Sequence, residues 1–289
     1  MAYKGHRVNP QKFEKSQIKI ILMILPLVIF MAMPIIFIVN HAFKPMEELF
    51  AFPPTFFVKN PTLENFTKLV KASRTSSVPL SRYIFNSVIV TVITIVVSLL
   101  CTTFAAFSLS KLKFKGKNTL MNINQIAIMF VSTAVLIPRY LVISFSGMTG
   151  TYLAHILPLL AMPVALFLVK QFVDQVPAAL IEAAYMDGAS DLSVYRKIIL
   201  PMIKPAIATA SILVFQQVWT NMETSNYYIT DDSMKTLTFY MNSLVSANNT
   251  IAGQGIAAAA SLIMFVPNLL LFILLQNSVM NTMAHSGIK

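Results

Sequence analysis

Six stretches of this chain, at residues 18 to 39, 83 to 107, 119 to 138, 152 to 172, 206 to 224 and 254 to 276, are each close to 20 residues long and mostly apolar. About 20 such residues in a helix cross the roughly 30 Å hydrocarbon core of a bilayer. Backbone amides find no water there, so a spanning segment must satisfy them internally, as a helix does. Composition agrees, with 56% hydrophobic and only 11% charged residues, where a soluble domain carries roughly a quarter. The expected fold class is therefore an all-α polytopic membrane protein with six transmembrane helices. Asn122, Asn124 and Gln125 dilute the third stretch, and Gln216, Gln217 and Asn221 the fifth. Those polar side chains are expected to face protein or water, not lipid.

Lys4, Arg7, Lys12, Lys15 and Lys19 precede the first stretch, which is longer than a signal-peptide core and carries Pro26 and Pro34. It reads as a retained anchor. Lysines also cluster at 111, 113, 115 and 117. Placing both clusters on the cytoplasmic side predicts both termini inside. Against that, the first outer loop alone carries Lys44, Lys59, Lys68, Lys71, Arg74 and Arg82. A net charge of +11 then calls for anionic inner-leaflet lipid as a neighbour, and not for nucleic acid.

This reading divides the chain into a cytoplasmic tail (1–17) and one transmembrane domain (18–289). Outer loops fall at 40–82, 139–151 and 225–253, and an inner loop at 173–205. The first outer loop, with Phe50, Phe52, Pro53, Pro54, Phe56 and Phe57, suits a lid on the bundle more than a docking surface. The last is polar, with Asp231, Asp232, Asn248 and Asn249, and holds a short amphipathic stretch near Thr236 to Leu244.

Covalent chemistry has no visible machinery here. The phosphate-cradling G-x-x-x-x-G-K-[ST] pattern is missing, and His6, His41, His155 and His285 show no ligand spacing. One cysteine, Cys101, allows no disulfide or Cys-based metal site within the chain. The spans are nearly free of ionisable groups, which an ion-driven transporter usually retains at mid-membrane. No catalytic residue, metal site or cofactor is therefore expected in this chain. Trp219, Asn221 and Glu223, at the outer part of the fifth span, could offer an aromatic face with polar partners to a sugar. They equally fit an interfacial anchor, the commoner role at a span end. Gln216 and Asn268 are further pore-facing residues, or helix-packing ones.

Residues 182 to 201 read EAAYMDGASDLSVYRKIILP. Pro177 suits a helix start and Ala178 to Met186 are good helix formers. Gly188 allows a turn with positive φ, and Ser190 or Asp191 can cap a second short helix. Leu192, Tyr195, Ile198 and Ile199 would share one face of it, and Pro201 would stop it. The product is a compact polar knob with an apolar stripe.

The register of Glu182-Ala183-Ala184, Gly188, Ile198, Leu200 and Pro201 resembles the cytoplasmic EAA signature of bacterial ABC-importer permeases. Asp187-Gly188-Ala189, Phe172, Pro177, Lys204-Pro205, the segment 60–66, Asn86-Ser87 and the ending 276–289 are similar to the carbohydrate-importer group, as in the second permease of maltose-type systems. The resemblance implies a MetI-like type I importer permease fold with cytoplasmic coupling helices, in the bacterial inner membrane. It implies that Glu182, Ala183, Ala184, Asp187, Gly188, Ala189, Tyr195, Ile198, Leu200 and Pro201 couple to an ATPase. Implied partners are a second, homologous permease, two ATPase subunits that hold ATP and Mg, and an extracytoplasmic solute-binding protein facing the 225–253 loop. Two other classes stay open on residues alone: a self-sufficient secondary transporter or channel, and a membrane scaffold or sensor docking a soluble partner.

Overall fold

The computed structural model describes residues 15–74, 77–247 and 253–286. Most of the expected 1–17 tail, Asn248, Asn249 and the last residues, 287–289, lie outside them. The described residues are helical and carry no strand. Helix α1 (Lys15–Phe43) holds Pro26 and Pro34 and exposes Ile, Leu, Met and Phe side chains on nearly every side, as a lipid-facing helix does. It runs along the last helix, α15 (Gln254–Ser286), beside α3 (Glu64–Arg74). The short α2 (Met46–Leu49) lies at the start of the segment expected to be the first outer loop. Asn65 closes the crossing of α3: its Nδ2 donates to the carbonyls of Ala42 and Lys44. A Cβ at Gly255 would lie 2.6 Å from the Asn65 amide, so a larger residue there would have to displace Asn65 from the Ala42 and Lys44 carbonyls.

Helix α4 (Leu80–Lys111) is the centre of the bundle. It packs against α7 (Tyr152–Leu160), α8 (Pro163–Gln175), α12 (Lys204–Trp219) and α14 (Leu237–Ala247). Its buried stripe is Ser87, Thr91, Thr94, Ser98 and Thr102. Small hydroxylated residues at this helical spacing let neighbouring backbones approach closely, which drives helix association where water does not.

Three of the six expected spans are uninterrupted: Gln17–Phe43, Leu80–Lys111 and Gln254–Gln276. Two more are bent pairs, α7 with α8 (46°) and Asp191–Met202 with Lys204–Tyr227 (80°). The stretch at 119 to 138 is not one helix. It is α5 (Lys117–Met129) and α6 (Leu136–Phe145), separated by non-helical residues 130–135. The described residues thus hold three spanning helices, or five with each bent pair taken as one.

The α7–α8 break has a local cause. Pro163 forces the residue before it out of the helical region, and Met162 has φ −118°, ψ 88°. A carbonyl freed at the end of α7 is taken up by another helix, Ser98 Oγ donating to Leu160 O (2.9 Å), and Asn124 Nδ2 donates to Pro163 O at the head of α8 (3.2 Å). Asn124 is buried, as expected of a polar residue in a span, whereas Asn122, Gln125, Gln216 and Gln217 are exposed on this chain alone.

The amphipathic stretch expected near Thr236 to Leu244 is α14, with Leu237, Thr238, Tyr240 and Met241 buried. The segment before it, which includes the 3-10 turn Asp232–Met234, is stitched to the start of α4. Asn86 Nδ2 donates to the carbonyls of Ser233 and Lys235, Arg82 Nε to Ser233 O, and the Leu237 N–H to Ser87 Oγ.

Ser98→Ala should leave the Leu160 carbonyl without its partner inside the bundle. The expected loss is about 1 kcal/mol, read as a lower unfolding midpoint of the detergent-solubilised protein, with the helical circular-dichroism signal unchanged.

Candidate functional site

The loop from 176 to 203 forms one end of the bundle. Helix α9 (Ala178–Met186) starts after Pro177, which is its N-cap and not its first residue. Its end is a Schellman turn: the Ala189 N–H donates to Ala184 O (2.9 Å) and the Gly188 N–H to Tyr185 O (3.0 Å). Gly188 has φ +80°, as expected, and a Cβ there would meet open space. Backbone conformation, not crowding, is what calls for glycine. Ser190 caps the next helix, α10 (Asp191–Val194), accepting from the Ser193 N–H. Tyr185 donates to Asp191 Oδ1 (2.8 Å) across the turn. Partial desolvation, with the Asp191 carboxylate beside it, raises the Tyr185 pKa above its ordinary value.

Pro201 does not end the second helix. After α10 the chain widens into a π turn at Tyr195–Ile199, then continues as α11 (Leu200–Met202), and the sharp bend comes at Ile203. The wide turn explains this. The Leu200 N–H reaches back five residues to Tyr195 O. In that register the absent Pro201 N–H breaks no α-type bond.

The expected apolar stripe needs correction at one position. Val194, Tyr195 and Ile199 are buried and Ile198 is half-buried, but Leu192 points outward, 52% exposed. The inward set shares one core with Ala106 and Phe107 of α4, Val169 and Val173 of α8, and Ala206 of α12, and Ala184, Ala189, Ile198 and Leu200 pack on its edge. Tyr195 is the aromatic anchor, stacked on Phe104 (4.2 Å between centroids) with its hydroxyl 2.8 Å from Thr103 Oγ1. Lys111 Nζ donates to the carbonyls of Asp174 and Val176, and Ser110 Oγ to Asp174 Oδ1, fixing the entry to the loop.

The face turned away from the bundle carries Glu182, Ala183, Asp187, Gly188 and Pro201, all exposed. Beside them stand Leu180, Tyr185, Met186 (88%) and Leu192. Leu180 and Met186 were not singled out from sequence. On α9 they stand about 100° and 140° around the helix from Ile181, its one buried residue.

The five residues expected along a solute path do not form one site. Trp219 is buried, parallel to Phe215, and donates from Nε1 to Met264 O on α15 (3.1 Å). It presents no open ring. Asn221 Oδ1 accepts from both the N–H and the hydroxyl of Thr224, capping α13 (Glu223–Tyr227). Glu223 is ion-paired with Arg139 of α6 (2.7 Å) and accepts from the Tyr228 hydroxyl. Gln216 and Asn268 do meet, in a cavity of about 240 Å³ between α12 and α15 walled by Phe215, Phe265 and Phe272.

A larger cavity, about 440 Å³, opens on the other side of α12. It is lined by Gln217, by Phe130, Ser132 and Val135 of the α5–α6 break, by Arg139, and by Ala161 and Met162 of the α7–α8 break. Lys117, Gln175 and Lys204 mark the ends of α5, α8 and α12 nearest the 176–203 loop. Counted from them at 1.5 Å per residue, Met129, Pro163 and Gln217 all stand about 18 to 20 Å along their helices. The α5–α6 and α7–α8 breaks thus lie at one common depth, level with Gln217 of the unbroken α12, and irregular chain persists there only against protein or a water-filled cavity.

Residues 100–279 match the family described as binding-protein-dependent transport system inner membrane component. The probable ABC transporter permease protein YurM of Bacillus subtilis (strain 168) is 29% identical over 264 residues, covering 89% of this chain and 84% of that protein. The diacetylchitobiose uptake system permease protein DasC of Streptomyces coelicolor is 26% identical over 260 residues, covering 89% and 91%. The fold is shared with a solved bacterial ABC transporter involved in the import of the acidic polysaccharide alginate: TM-score 0.77 at 19% identity, over 93% of this chain and 99% of that one. The chain belongs to the family of inner-membrane components of binding-protein-dependent transport systems.

Proposed function

We propose that this protein is one of two permease subunits of an ATP-driven bacterial importer for a sugar or oligosaccharide, and that the 176–203 loop receives the mechanical stroke of a separate ATPase. The observation that carries this is the loop itself. Its inner half is welded into the core through Tyr195, Ile199 and Lys111, while its outer face offers Glu182, Asp187 and the apolar Leu180, Met186 and Leu192. A rigid knob so mounted passes displacement to the helices that hold it, and exposed apolar side chains ringed by charge suit a partner's cleft.

In this reading six spans cross the inner membrane with both termini inside, residues 18 to 289 acting as one permease domain. A homologous but different permease completes the path, two ATPase subunits hold ATP and Mg, and an extracytoplasmic binding protein delivers cargo. Closure of the ATPases rocks the bundle between inward and outward access. Carbohydrate cargo is supported by the diacetylchitobiose permease and the alginate importer among the relatives. Of the residues expected on the path, Gln216 and Asn268 remain lining groups. Trp219, Asn221 and Glu223 act through their contacts with α15, α13 and Arg139.

Glu182→Lys reverses an exposed charge, and Gly188→Pro demands a φ near −65° where +80° is required. Both variants should reach the membrane and co-purify with the second permease, yet lose binding-protein-dependent uptake in proteoliposomes. Normal uptake in both defeats the coupling role. Tyr195→Phe keeps the stack on Phe104 but removes the hydroxyl contact with Thr103. It should lower solute transported per ATP hydrolysed by about two- to fivefold, in line with one lost buried hydrogen bond, measured as paired uptake and phosphate release.

A further inference from the structure

The segment between α1 and α3 folds back along α1 instead of leading away from it. Side chains hold its backbone there. The Val58 N–H donates to Asn40 Oδ1 (3.0 Å), Lys44 Nζ to Thr55 O, and the Lys59 and Asn60 N–H groups to the Glu48 carboxylate (3.0 and 2.7 Å). The Thr62 N–H closes the excursion on Phe43 O (2.8 Å). Phe56 meets Phe37 of α1 and packs edge-on with Phe57. Asn40 and Phe37 stand three and six residues before the end of α1 at Phe43, so the loop returns about 4.5 to 9 Å down the helix.

That end lies away from the 176–203 loop, because Ala42 shares a core with Val78 and with Tyr83 at the head of α4, whose other end packs in the loop's core. A lid over the bundle would turn its aromatic rings inward. Here Phe52 is 96% exposed and Phe57 67%, with Phe50, Pro53 and Pro54 exposed beside them. Residues 50–58 carry no charged side chain, and exposed Lys59 borders them. Through Phe56 and Phe37 the patch continues the apolar surface of α1, where Met33 and Ile36 are also exposed.

Depth selects the occupant. A soluble partner arriving from water meets the chain beyond Phe43, and not rings level with the last two turns of the span Gln17–Phe43. Non-helical chain is excluded from the hydrocarbon centre. At the boundary of headgroups and acyl chains, aromatic side chains beside a basic residue are stabilised. Peptide groups there still need partners, which Asn40, Lys44 and Glu48 supply. We propose that residues 50–57 form an interfacial anchor that inserts Phe52 and Phe57 into the bilayer boundary at this end of α1, its partner being lipid. With both termini inside, that leaflet is the outer one. The anchor requires no particular cargo and takes no part in coupling.

The test uses the complete importer in nanodiscs of phosphatidylethanolamine and phosphatidylglycerol, both faces of which are open to reagents. In a Cys101→Ser background, Phe52→Cys and Phe57→Cys each carry a nitroxide. Power-saturation EPR then compares collisions with oxygen, which concentrates in lipid, and with a nickel chelate, which stays in water. So exposed a residue as Phe52 can be replaced without disturbing the packing beneath it. Oxygen accessibility should exceed nickel accessibility about threefold or more at both sites, as fits burial of roughly 5 to 10 Å in the boundary. Addition of binding protein should leave both values unchanged. Nickel accessibility equal to or above that of oxygen at either site places the loop in water and overturns the anchor. Low accessibility to both reagents places it against the second permease, and a fall in both on adding binding protein places it against that protein; either result overturns the assignment to lipid.

Discussion

Hydrocarbon offers no hydrogen bond to a broken helix, and the arrangement of this bundle depends on how each break is closed. Most closures come from one helix. From its N-terminal end to its loop end, α4 holds the 233–237 segment with Arg82, Asn86 and Ser87, the Leu160 carbonyl with Ser98, Tyr195 with Thr103, and the entry to the 176–203 loop with Ser110 and Lys111. At 1.5 Å per residue its 32 residues span about 48 Å. A single rod thus touches the loop end, the level of interrupted helices and the 233–237 segment. Displacement at one end of such a rod is felt at the other without a chain of small side-chain adjustments.

The same logic separates the two halves of the 176–203 loop. Local backbone rules shape its turn: the Schellman closure at Gly188, the Ser190 cap and the Pro177 start. Tertiary contact fixes its seat, through the aromatic stack of Tyr195 and the buried Val194 and Ile199. The turn can hold its form while its seat moves with α4, α8 and α12. What faces outward, Leu180, Met186 and Leu192 beside Glu182 and Asp187, takes no part in that seat.

Features set by neighbours in the chain were legible in the sequence. The all-helical class follows from the apolar stretches, the positive φ from Gly188 between helix formers, and α14 from its amphipathic run. The long apolar spans at α1, α4 and α15 were equally plain. Features set by distant contacts were not. Residues 130–135 read VSTAV after a phenylalanine, with no glycine or proline to announce a break, and only their place beside the α7–α8 bend gives them a reason. Pro201 looked like a stop because the wider turn before it leaves no mark in composition. Arg139 and Glu223 were each visible near span ends, but 84 residues separate them, and their pairing belongs to the packed bundle. Trp219 could be read as a sugar-facing ring or, more commonly, an interfacial anchor, and its burial against α15, which supplies a carbonyl for its indole, belongs to the packed bundle.

The π turn at Tyr195–Ile199 inserts one residue beyond what a regular helix would use over the same rise. Each residue advances a helix by about 100°, so this extra one fixes the azimuth of everything that follows. Removing a single residue there would restore ordinary winding and leave Leu200, Pro201 and the head of α12 rotated by about that angle on their axis. The distance between the glycine turn and Pro201 is therefore a clocking element for the helix beyond it.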